Sequence, residues 1–228
     1  MATSATVEIH TPLRLGEVLT AAITLYGRRP WAYVAVGLLQ AGALLLSAVT
    51  PIAGDLAILS LAFVVSFAAV VRLVTGDPAA DAARRALAAL PVLVPLAFLV
   101  ALPFTLASSW IILWLVAIVW LAFTGFAVPA AMVDEGASSS WVERLNAAVR
   151  RSTALARVEF LHALGVAAAL FAINIVVGVL LAVALANFAD NGQLAAVAIA
   201  QVVLSPFFFL GLTVLYFEQL ARAHDKEG

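Results

Sequence analysis

Apolar residues run through this chain in long stretches of about twenty residues. Three of those stretches are preceded by shorter segments in which apolar positions recur every three or four residues. In the first such segment Leu15, Val18, Leu19, Ala22, Ile23 and Tyr26 make one stripe, with Arg14, Glu17 and Thr24 off it. A helix with a single apolar face lies most readily along a lipid headgroup boundary. Thr11–Pro12 offers a hydroxyl cap followed by proline, where a missing N–H costs nothing, and Gly27 offers a stop. The same plan recurs twice. Asp77–Pro78 opens a second segment, and Ser140, with Glu143 three residues on, opens a third through a capping box. Trp141, Leu145, Ala148 and Val149 form the stripe of the third. The amphipathic, interfacial helices are therefore expected at 12–26, 78–87 and 141–156.

The continuous runs predict six membrane spans, at about 31–50, 56–75, 88–107, 110–131, 159–187 and 194–217. Twenty helical residues at roughly 1.5 Å each reach across ~30 Å of hydrocarbon. Short turns, PIAGD, LASSW and ADNGQ, separate the first, third and fifth spans from their successors. The expected fold is an all-α, polytopic transmembrane bundle forming one integral membrane domain over residues 1–228. Three units of amphipathic helix, basic pair and spanning hairpin are legible. Either descent by repetition or convergence on one topology signal accounts for them.

Composition sharpens this picture. Apolar residues are 65% of the chain and charged residues 11%. Soluble domains are only about half apolar, so lipid has to be the solvent. The net charge of −1 offers no argument for nucleic acid, and the absence of cysteine removes disulfides and thiolate chemistry. The first ten residues are polar and lack a basic n-region, so no cleavable signal peptide is expected.

The twelve basic residues carry the orientation. With six spans, Arg14, Arg28, Arg29, Arg72, Arg84, Arg85, Arg144, Arg150, Arg151, Arg157, Arg222 and Lys226 all fall on one side, and the other side holds only Asp55 and Asp190. The positive-inside rule then puts both termini in the cytoplasm of an inner-membrane protein. Trp31 and Tyr33 follow Arg28 and Arg29 as an aromatic belt.

Candidate chemistry is sparse. Ionisable groups within a membrane are the usual functional candidates, and here only Arg72 and Glu218 come near, each about one turn from a span's end. They either snorkel separately or pair across spans two and six. Gln40, Ser66, Asn174 and Gln201 are uncharged polar residues near mid-span; Gln40, Asn174 and Gln201 serve as packing glue or line a solute path. Pro95, Pro103, Pro129 and Pro206 are candidate kinks. Gly37 with Ala41, and Gly165 with Ala169, have small-xxx-small spacing. Glu159 and His162 match the Glu-x-x-His spacing of di-iron bundles, but the second copy such sites need is missing, so no metal and no cofactor are expected. Neither a nucleophile–histidine–acid set nor a phosphate-binding glycine loop is evident.

Three stretches carry a family likeness: PLRLGEVLTAAITLYGRRP, VPAAMVDEGASSSWVERLNAAVRRSTAL and SPFFFLGLTVLYFEQLARAH. In these the chain resembles the membrane domain of bacterial glycerophosphodiester phosphodiesterases, and related stand-alone six-helix membrane proteins. In the two-part enzymes a separate barrel performs hydrolysis. The resemblance implies the membrane half alone, and it carries over no catalytic residue.

The leading expectation is a noncatalytic multi-pass protein acting as a scaffold, a partner-binding module or a lipid-interacting module. Its pairs Arg28–Arg29, Arg84–Arg85 and Arg150–Arg151 would meet anionic membrane lipids or a membrane protein partner. The alternative is a small transporter or lipid-export component with Gln40, Asn174 and Gln201 along its path. An intramembrane enzyme is a third and weaker reading.

Overall fold

A computed structural model describes residues 13–47, 49–50, 52–107, 111–133, 140–185 and 192–227. The Thr11–Pro12 start and Asp190, with most of the turn it belongs to, lie outside the described residues. Among those described, every regular element is an α-helix. In chain order these are α1 Leu15–Arg28, α2 Pro30–Ser47, α3 Ile52–Val74, α4 Ala79–Ala88, α5 Leu90–Ala107, α6 Ile111–Thr124, α7 Ala127–Val133, α8 Trp141–Val158, α9 Phe160–Leu185 and α10 Gly192–Glu227. The molecule is a helical membrane bundle. Five stretches are long and apolar enough to cross a bilayer: α2, α3 from Gly54, α6 with α7 as Leu113–Val133, α9, and α10 from Ala195. A sixth is reached when α4 and α5, bent by 79° between them, are taken together.

Several helix boundaries differ from the expected ones, for local reasons. α1 runs through Gly27 and stops at Arg29, whose φ of −139° and ψ of 56° lie outside the helical region. The stop signal is Pro30, because proline drives the preceding residue out of the helical region. The N–H of Arg14 is satisfied by the Glu17 carboxylate at 2.6 Å, and α1 starts after Arg14. α4 begins at Ala79, since Pro78 is extended with ψ of 149°. Before it, α3 ends in a Schellman turn: Asp77 N–H reaches the Arg72 carbonyl at 3.0 Å and Gly76 N–H the Leu73 carbonyl at 3.3 Å. Gly76 at φ 99° supplies the left-handed residue this turn requires. At α8 Ser140 is the cap, but its Oγ accepts from Val142 N–H at 3.3 Å rather than from Glu143 N–H as the expected capping box would have it. The last helix continues ten residues beyond the expected span, to Glu227, because no glycine or proline interrupts Phe217 to Glu227.

The expected fourth span is one crossing stretch, Leu113–Val133, with an interruption inside it. α6 ends at Thr124 and α7 starts at Ala127. Pro129 has no N–H for the carbonyl of Gly125 and its ring crowds that same carbonyl, so the helix parts there. Breaks and prolines of this kind leave carbonyls open, and neighbouring helices supply the donors. Ser152 Oγ of α8 donates to the Phe123 carbonyl at 2.5 Å. Trp120 Nε1 of α6 donates to the Leu99 carbonyl of α5 at 2.8 Å, one turn before Pro103. The Val202 carbonyl of α10, one turn before Pro206, lies 2.0 Å from where a Cβ on Gly37 would sit. Only glycine lets α2 and α10 approach so closely, and buried Ala41 extends the same contact.

The core lies between α3 and α10. Phe63 and Phe67 meet Phe208 and Phe209 there, with Phe67 and Phe209 stacked at 5.3 Å between centroids. On the far side of α10, Leu170 of α9 occupies the space that a side chain on Gly211 would fill.

Candidate functional site at the arginine-bearing end

Hydrogen bonds show which helix ends share one end of the bundle. Arg29, between α1 and α2, donates from Nη1 to the Asp77 carbonyl, between α3 and α4, at 3.0 Å. Arg85 of α4 meets the Asp77 carboxylate at 3.5 Å. Lys226 Nζ, near the end of α10, donates to the Val158 carbonyl at the end of α8 at 2.7 Å. Arg222 Nη2 of α10 donates to the Leu13 carbonyl, just before α1, at 2.9 Å. The amphipathic helices α1, α4 and α8 and the tail of α10 therefore gather at one end. This is the arrangement that the charge pattern predicts.

At that end Glu218 is wholly buried. A carboxylate out of water is costly unless it is paired and hydrogen-bonded, and Glu218 is both. Arg222 Nε, one turn on, bonds its Oε1. Gln219 Nε2 donates to its Oε2 at 3.1 Å, and His162 Nε2 lies 3.7 Å from that oxygen. Through Nη1, Arg222 also binds Glu159 at the α8–α9 junction. One planar guanidinium thus serves two carboxylates and a carbonyl from three parts of the chain, a task lysine's single ammonium could not perform. The effect is a clasp that holds α10, α9 and the start of α1 together. Nearby, Tyr26 stacks on Tyr33 at 5.6 Å, and burial raises the Tyr26 phenol above its usual range.

Arg72 and Glu218, which the sequence leaves either separate or paired across spans two and six, have different charges beside them among the described contacts. Among the described contacts Glu218 turns to Arg222, its neighbour at i+4, while the charges acting on buried Arg72 are Asp77, Arg85 and Arg144. The Glu218–Arg222 geometry follows from helix pitch, which brings residues four apart to one face. Glu159 and His162 both belong to the clasp, where Arg222 stands against Glu159. Among the described residues no group of three histidine, cysteine or acidic side chains is arranged to hold a metal.

The paired arginines face outward for the most part. Arg28, Arg29, Arg84, Arg85 and Arg150 are exposed and Arg151 is half-buried. Asp77 links the first two pairs, binding Arg29 through its carbonyl and Arg85 through its carboxylate. Arg84 has Asp81 at 3.7 Å.

Two of the mid-span polar residues bond within their own helices. Asn174 Nδ2 turns back to the Leu170 carbonyl of its own helix at 3.4 Å. Gln201 Oε1 accepts from Ser205 one turn along α10. Gln40 and Ser66 are buried without a hydrogen-bond partner for Gln40 Nε2 or Ser66 Oγ. No described contact joins Gln40, Asn174 and Gln201 to one another.

No family model, curated protein or solved structure matches the chain.

The sequence marked Asp77 only as a helix start, Arg222 only as one of the basic residues and Glu159 only for its Glu-x-x-His spacing. The Glu218–Arg222 spacing was a readable i,i+4 pair. The meeting of Arg222 with Glu159 and Leu13, distant in sequence, was not.

Proposed function

We propose that this protein is a noncatalytic, multi-pass inner-membrane module whose arginine-bearing end faces the cytoplasm and holds anionic phospholipid headgroups. The observation that carries this reading is the exposure of the arginine pairs at the end where α1, α4 and α8 gather. An anionic leaflet attracts each such charge by about 1 kcal/mol, and guanidinium forks suit phosphate better than ammonium does. The positive-inside rule supports the cytoplasmic orientation. The local hydrogen bonds of Asn174 and Gln201 support packing over solute passage. The resemblance to the membrane domain of glycerophosphodiester phosphodiesterases fits a module that serves at the membrane without hydrolysing anything itself.

The test is to replace Arg28, Arg29, Arg84, Arg85, Arg150 and Arg151 together with lysine, which keeps charge and topology but loses the bidentate fork. Native mass spectrometry of the parent should show anionic lipid retained in preference to phosphatidylcholine, and the lysine variant should lose that preference. Equal retention by both would leave the arginines as topology markers.

A further inference from the structure

A groove of about 570 Å³ runs between α5 and the start of α8, lined by Leu90, Pro91, Val94, Pro95, Phe98 and Trp141. Its volume falls in the range of about 300–1,000 Å³ typical of small-molecule sites, but its lining is apolar and it is open rather than enclosed. Leu90 begins α5 at the arginine-bearing end, and Phe98 lies eight residues further on. At the helical rise the groove descends ~12 Å from headgroup level into the hydrocarbon zone. Those are the position and direction of a lipid acyl chain.

The mouth of the groove is cationic. α4 meets α5 at a 79° bend, and Arg84 and Arg85 precede Leu90, at the top of the groove, by six and five residues. Arg144 follows Trp141 by one turn on the same face of α8. Arg85 and Arg144 both act on Arg72, which brings guanidinium groups from α3, α4 and α8 into one neighbourhood. Acids are present too: Asp77 meets Arg85, Asp81 meets Arg84, and Glu143 is exposed on α8. Arg144 is the α8 member of this group. Its Nε is buried with no hydrogen-bond partner. A buried cationic donor left unsatisfied is costly, and an anionic oxygen is the group that would satisfy it.

We propose that this groove is a site for one anionic phospholipid, with an acyl chain laid along Pro91, Val94, Pro95 and Phe98 and the phosphate held by Arg144 and Arg85. This rests on the headgroup reading above and narrows it from a ring of charge to one built site. Trp141 caps the chain's upper part, in the interfacial position that tryptophan favours. Phosphate oxygens would complete Arg144 and relieve the repulsion among the arginines around it.

The experiment is a titration of the purified full chain with phosphatidylglycerol, counting the first bound lipid by native mass spectrometry. Val94→Trp fills the groove from a lipid-facing position and Arg144→Gln removes the phosphate donor. Each should weaken first-lipid binding about tenfold. Leu180→Trp, on the lipid-facing side of α9, should leave it unchanged. Phosphatidylcholine and inorganic phosphate should fail to compete, since one lacks net charge and the other the chain. Unchanged binding in Val94→Trp overturns the groove site even if Arg144→Gln fails to fold. If the six-lysine variant still loses lipid in that case, the headgroup ring stands and only the groove falls. Displacement by inorganic phosphate at the concentration of the lipid would also overturn it, because the chain would then contribute nothing.

Discussion

Helices α3 and α9 are built from the same apolar residue types, yet 67% of the spanning part of α3 is buried inside the bundle against 17% of α9. In water such a difference would show as a difference in hydrophobicity. In lipid it does not, because hydrocarbon tails are as apolar as leucine and exert no pressure to bury it. What separates the two helices is shape and polarity. α3 presents Ala62, Ala68 and Ala69 for close approach, buries Ser66, and interlocks Phe63 and Phe67 with α10. α9 buries only Ala163, Val166, Ala167 and Leu170, all in its first half. Beyond them Val176, Val179, Leu180 and Val183 are exposed. α9 is thus anchored at the arginine-bearing end and solvated by lipid for the rest of its length.

The largest effect is expected from a contrast of two glycines, one in the close α2–α10 contact beside the core and one on α9. Gly37→Leu should abolish assembly, since any Cβ there collides with the Val202 backbone, which cannot swing aside as a side chain could. Gly178→Leu on α9 should be neutral, because nothing lies within 4 Å of the new Cβ. Monomer yield and helical content in detergent would read both. A tolerated Gly37→Leu would mean that α2 and α10 are not held at backbone distance.

The clasp that anchors the first half of α9 comes next. Arg222→Gln leaves Glu218 buried without its cation and should cost ~3–5 kcal/mol in reversible unfolding from bicelles. The double change Arg222→Gln with Glu218→Gln should cost less than the single change. Additive losses in that cycle would show the two groups acting separately.

The smallest contrast is between apolar truncations. Phe67→Ala, in the stack against Phe209, should cost about 3 kcal/mol, while Leu180→Ala should stay within ~0.5 kcal/mol. Equal losses would mean that the two helices are packed alike.

Much of the architecture was readable from periodicity and charge. The start and course of α8, the approximate ends of α2, α5 and α9, and the gathering of arginine-rich segments at one end follow from helix caps, run length and the placement of basic residues. The arginine pairs too were legible as an outward-facing set. The clasp was not. It joins Leu13, Glu159, Glu218 and Arg222 across as many as 209 positions of chain, and no local pattern encodes a contact of that kind. The prolines show the same divide. Their positions were plain in the sequence, and so was the fact that each removes one helical donor. What answers was decided in three dimensions: Trp120 of α6 donates to the Leu99 carbonyl that Pro103 leaves open, Ser152 of α8 donates to the Phe123 carbonyl beside the α6–α7 break, and Gly37 lets α2 lie close against the Val202 carbonyl.

By itself the sequence determined that this chain is a helical membrane protein with its basic residues drawn to one end, because apolar run length and charge act through the bilayer whatever the helices do to each other. Which helices form the core, which acid Arg222 neutralises and where a groove opens were decided only by the tertiary structure. Between helices immersed in lipid, selection falls to backbone proximity and to the completion of hydrogen bonds, and both depend on residues far apart in the chain.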